Sequence, residues 1–154
     1  MSIEATKPSS IGSQRRSLNR LIRGCKDDRK AYRQVAFASL QQRDSLIAMS
    51  RRRSAFIEEL SSIVRRLGGS PQQGGSALEG VRRVVFEMRA TVSGAHHLGD
   101  ELAECARVEG DVVDAYDNAL KRTTWAKVTN ETVREQLTEI RGDYETLREW
   151  RGSL

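Results

Sequence analysis

Asp28, Glu59, Glu104 and Glu109 are the residues of this chain whose type and spacing could do chemistry, because each falls near the middle of a long periodic segment. Hard cations accept carboxylate oxygens alone, so four such groups could hold iron or manganese between packed helices. A second reading needs no metal. Arg53 points into the seam of its own helix, and a guanidinium reaching Asp28 or Glu109 would neutralise a buried carboxylate directly. An unpaired interior charge would cost several kcal/mol. Charge pairing is the leading expectation and the carboxylate metal site the alternative, so no catalytic residue, cofactor or resident metal is assigned.

The missing imidazoles favour that order. Carboxylate-bridged di-iron bundles take a glutamate from each of two helices and a Glu-x-x-His pair from each of the others. No Glu-x-x-His occurs here: Ser61 and Ser62 stand three residues after Glu58 and Glu59, Val112 after Glu109, and Gly142 after Glu139. His96 and His97 open their helix about 16 Å from its centre, at about 1.5 Å of rise per residue. His97 and Glu101 share a face four residues apart, but two ligands are too few for a closed site. Cys25 and Cys105 lack a Cys-x-x-Cys spacing and read as small buried thiols. No histidine is placed to act as base for either thiol or for a seam serine, so enzymatic activity is not expected.

Four long amphipathic segments must position these side chains. The first runs from about Arg15 through Leu18, Ile22, Cys25, Tyr32 and Val35 to Leu40, with Asp28 or Arg29 at its polar seam position. The second has Asp44 as the expected N-cap, a stripe from Leu46 through Phe56 to Leu67, and a glycine stop at Gly68-Gly69. The third spans His96 to Leu120, with Glu109 on the seam between Cys105 and Val112. The fourth carries Trp125, Val128, Val133, Leu137, Ile140, Tyr144, Leu147 and Trp150, and ends at Gly152. Counting outward from the helix centres puts Asp28, Arg53, Glu59, Glu109, Gln136 and Glu139 near one level.

Between the second and third segments, GGSPQQGG leads into a Ser76-x-x-Glu79 capping box and a short stripe of Leu78, Val81, Val84, Val85 and Met88. No strand precedes these glycines and no Gly-Lys-Ser/Thr follows them, which excludes a phosphate loop. The expected fold is therefore all-α: a ferritin-like up-down four-helix bundle whose one long crossover carries a short extra helix. Residues 1–13 read as a disordered tail and 14–152 as a single domain.

Bulk properties narrow the function. The 154 residues carry a net charge of +5, mostly from arginine, with both signs interspersed along the helices. Arg51-Arg52-Arg53 points in three directions on a helix, so nucleic acid is not an expected partner. The absence of a membrane-length apolar run or an apolar signal core leads to a cytoplasmic expectation with no membrane partner. A homo-oligomer or an unidentified protein partner is the expected kind of contact.

The residues from about 17 to 150 resemble a bacterial ferritin-like four-helix-bundle family of unknown function, best known from pseudomonads and other proteobacteria. The resemblance runs through Leu18-Asn19-Arg20-Leu21-Ile22, Arg53-Ser54-Ala55-Phe56-Ile57-Glu58-Glu59-Leu60 and Leu67-Gly68-Gly69-Ser70-Pro71. It continues through Leu102-Ala103-Glu104-Cys105, Glu109 and Ala115-Tyr116. It implies the bundle and a distant relation to iron-binding proteins, without an activity. Where similar proteins tend to read Glu-Arg-Gly-Glu-Asp, this chain has Ala106-Arg107-Val108-Glu109-Gly110, and Tyr144 stands where many have a histidine. Both departures weaken a metal centre. The expected role is a non-enzymatic interaction or stress-related structural module, with a carboxylate-ligated iron or manganese protein as the alternative.

Overall fold

The computed structural model describes residues 6–73 and 98–153. Four helices form from them: α1 (Ile11–Ala38), α2 (Arg43–Arg66), α3 (Leu98–Arg122) and α4 (Lys127–Gly152). No strand occurs among the described residues. The capping box at Ser76, the short stripe from Leu78 to Met88, and His96 and His97 lie outside them.

Each helix end has a chemical cause. The Ser10 hydroxyl accepts from the Ser13 amide at 3.2 Å and starts α1, while Ser9 is pinned to the α3–α4 turn. α1 itself starts at Ile11. Asp44 is not the cap of α2. The helix starts one residue earlier, after Gln42, and Asp44 lies in its first turn, where a carboxylate complements the helix dipole. Arg43 reaches back to donate to the carbonyls of Ala36 and Phe37, satisfying the open end of α1.

At the end of α2, Gly68 takes φ +74°, its amide bonds Arg65 O, and the Gly69 amide bonds Val64 O. This is the Schellman closure, and its left-handed residue favours glycine. Leu40 was expected inside but lies past the end of α1 and is 81 % exposed. Val128 is the second residue of α4 and is 65 % exposed, with Thr129 taking the inward position.

α1 packs between α2 and α3, and α4 packs on α3. Ser17 meets Thr123, Cys25 meets Tyr116 and Tyr32 meets Glu109, so α3 runs antiparallel to α1. Gly24 permits their close approach: a Cβ there would stand 3.3 Å from Val112 Cγ2. α2 therefore ends beside the start of α1, and α3 begins at the opposite end. Residues 67–73 turn back along α1, with Arg15 donating to Leu67 O at 2.7 Å, Asn19 to Ser70 O, and Lys26 to Gln72 O.

The apolar interior falls into two clusters. One gathers Leu18, Ile22, Leu60, Val64, Val133 and Ile140 with their neighbours. The other gathers Tyr32, Val35, Leu46, Met49, Leu102 and Leu147. Each fully buried aliphatic side chain contributes about 1.5–3 kcal/mol relative to exposure. Between the clusters lies a layer of charge.

Candidate functional site: a buried guanidinium among carboxylates

Three consecutive arginines on one helix face three ways, and α2 sorts them accordingly. Arg51 is exposed, Arg52 sits at the rim, and Arg53 is 0 % exposed. One turn apart on α1, Asp28 and Tyr32 share the face that meets Arg53, while α3 brings Glu109 and α4 brings Asp143.

Arg53 Nε donates to Asp28 Oδ2 at 2.9 Å, and Nη2 donates to Glu109 Oε1 at 2.6 Å and to Tyr32 Oη at 3.1 Å. Tyr32 in turn donates its hydroxyl hydrogen to Glu109 Oε2. Asp143 Oδ2 lies 3.0 Å from Arg53 Nη2, close enough for attraction but out of line for a hydrogen bond. Its Oδ1 accepts from Arg52 at 2.5 Å. The Arg53 guanidinium also stacks 5.3 Å from the ring centres of both Tyr32 and Phe56.

The electrostatics follow from burial. Desolvation and then the neighbouring charge of Glu109 hold the Asp28 carboxyl well above its ordinary range, outweighing the opposite pull of Arg53. Desolvation opposes the charge on Arg53, but Tyr32, Glu109 and Asp28 around it outweigh that and hold it above its ordinary value. Arg52 and Arg53 are the cations of the layer, set against the carboxyl groups of Asp28, Glu109 and Asp143.

A second polar chain lies toward the Trp125 end. Tyr116 donates to Gln136 Oε1 at 2.7 Å, and its oxygen is 3.2 Å from Cys25 Sγ. Burial pushes the Cys25 thiol up to about 12, and burial likewise raises Cys105, Tyr32 and Tyr116. Both thiols therefore stay protonated near neutral pH, the opposite of an activated nucleophile.

Of the four carboxylates singled out in the sequence, the structure brings together Asp28 and Glu109. Glu59 is exposed on α2, and Glu104 is exposed on α3, where it binds Arg107. Glu139 is exposed too, whereas Gln136 is buried. Tyr32, Asp143 and Arg52 join the layer without having been singled out. Asp143 stands three residues after Ile140 and four before Leu147, and that spacing alone could have found it. Among the described residues, no group of three His, Cys, Asp or Glu side chains is placed to hold a metal ion. The donor chemistry agrees: a divalent cation at this layer would stand against the positive charge of Arg53.

A family model described as a domain of unknown function, DUF2383, matches residues 14–122. The chain belongs to this family. The DUF2383 match takes in α2 and α3 whole and nearly all of α1, so it contains Asp28, Tyr32, Arg53 and Glu109. Asp143, on α4, lies beyond the matched DUF2383 residues. No curated protein matches the chain.

Proposed function

We propose that this DUF2383 protein is a non-enzymatic bundle of ferritin-like connectivity that works as an interaction or structural module, with a guanidinium where related scaffolds hold metal. The observation that carries this reading is Arg53, wholly buried and bonded to Asp28 and Glu109, the two carboxylates that would otherwise be ligands. The connectivity is supported by the opposite placement of the end of α2 and the start of α3, and by residues 67–73 climbing α1. A crossover running the bundle's length is what such a placement requires.

Metal content tests the proposal. Protein purified from cells supplemented with iron or manganese, then dialysed, should retain far less than one metal per chain. The competing reading draws on the convergence of Asp28 and Glu109 at one level. Near-stoichiometric metal that disappears in Glu109→Ala would overturn the proposal in its favour.

A further inference from the structure

The end of the bundle opposite the α1–α2 turn carries positive charge that little there neutralises. Arg65 and Arg66 close α2, and Lys121 and Arg122 close α3. Lys7, Arg16 and Lys127 lie beside the starts of α1 and α4. All of these are exposed, and none is engaged in an ion pair among the described residues. Among the described residues, the carboxylates nearest this end are Asp117, already held 2.6 Å from Arg141, Glu131, one turn after Lys127 on α4, and Asp114, which lines a surface hollow with Arg122.

Helix chemistry accounts for part of the charge, because cations at the C-termini of α2 and α3 complement their dipoles. It does not account for Lys127, the first residue of α4, where the dipole opposes a cation. The same end exposes apolar surface. Ile11 and Val128, 54 % and 65 % exposed, open α1 and α4, and the bonds between Ser9 and Thr124 bring those two helix starts together.

Exposed aliphatic side chains among unneutralised cations match a surface that is anionic outside and apolar within. A single-stranded nucleic acid would ask for exposed rings on which bases stack. Among the described residues the aromatic side chain at this end is Trp125, which is buried and donates to Ala119 O instead.

We propose that this end of the bundle docks on the surface of an anionic phospholipid bilayer, with the cations against the headgroups and Ile11 and Val128 entering the interface. The contact is peripheral, since no helix among the described residues is long and apolar enough to cross a membrane.

Co-sedimentation of the full chain with vesicles tests this. The protein should pellet with phosphatidylcholine–phosphatidylglycerol vesicles at low salt, stay in solution with phosphatidylcholine alone, and be released at about 1 M salt, where the screening length is about 3 Å. Replacing Arg65, Arg66, Lys121 and Arg122 by glutamine should weaken binding several hundredfold, at about fivefold per cation. Arg16→Gln with Lys127→Gln avoids the helix C-termini and should weaken it by about twenty-fivefold at the same rate. Ile11→Ser with Val128→Ser should lower vesicle affinity while leaving its salt dependence. Arg148→Gln with Arg151→Gln, at the far end, should change nothing. Failure to pellet with anionic vesicles at low salt, or equal binding by the Arg16/Lys127 variant, overturns the proposal. Binding of duplex DNA in place of vesicles would overturn it in favour of a nucleic-acid surface.

Discussion

Replacing Arg53 by methionine removes the charge from the centre of the bundle while keeping most of the aliphatic stem. Glu109 then loses its guanidinium at 2.6 Å, Asp28 loses its partner at 2.9 Å, and Asp143 loses its inner neighbour at 3.0 Å. Breaking a buried pair in this way costs about 3–5 kcal/mol, since the abandoned charge has no water to return to. Set against a typical total of about 5–15 kcal/mol, that is a large part of the stability. With a urea slope of about 2 kcal/mol per molar, the unfolding midpoint should fall by about 1.5–2.5 M when followed by far-UV circular dichroism. A triple variant, Arg53→Met with Asp28→Leu and Glu109→Leu, should recover most of the loss, because a buried ion pair exchanged for apolar groups is often neutral or stabilising. A loss below about 1 kcal/mol for the single variant, or no recovery in the triple, would refute the charged-layer account.

The raised pKa of Asp28 has a definite sign. Its stabilising contribution is fully present below its unfolded value of about 3.9 and is lost as pH rises through its higher folded value. Asp28→Asn should therefore gain on the native protein between acid and neutral pH in paired urea titrations. An asparagine variant that falls further behind as pH rises would mean Asp28 is ionised. Gly68→Ala forces a side chain into φ +74° with its Cβ 2.8 Å from Arg15, and should cost about 1–2 kcal/mol. In contrast, Gly142→Ala, with nothing within 4 Å on α4, should gain about 0.5–1 kcal/mol, and thermal melts of the two should move in opposite directions. Cys25 and Cys105 should resist a thiol reagent at neutral pH until denaturant is added; rapid labelling of the native protein would contradict their burial.

The helices and the central pairing were legible because each interrupts or sustains a strong period. Arg53 is a cation on the apolar stripe between Met49 and Phe56, and Asp28 breaks the run between Cys25 and Tyr32. Neither position offers a polar alternative to pairing. Glu59 and Glu104 show where that reasoning stops. Both are at the right height, but each stands one residue from a buried neighbour, Leu60 or Cys105, and one residue is a turn of about 100°. Level along the axis does not fix direction.

Asp143 was hidden for the converse reason, since Tyr144 beside it offered a more plausible apolar seam residue. Leu40 and Val128 extend their stripes by one step, and nothing in periodicity says that a helix has already ended or only just begun. The cations gathered at the bundle end escape a linear reading altogether. They come from separate helices and share a surface only because α1 and α3 are antiparallel.

A bundle held by aliphatic side chains alone has no sharp preference for how far one helix is slid past another, since one turn of leucine and valine resembles the next. The charged layer between the two apolar clusters removes that freedom. A slip of α2 by one turn, about 5.4 Å, would drive Arg53 among Cys25, Val112 and Ile140 on one side, or Val35, Cys105 and Leu147 on the other, and leave Glu109 facing hydrocarbon. The layer thus acts as an axial index mark. It sets the register of all four helices at once, from a single height, and leaves the apolar positions on either side free to vary.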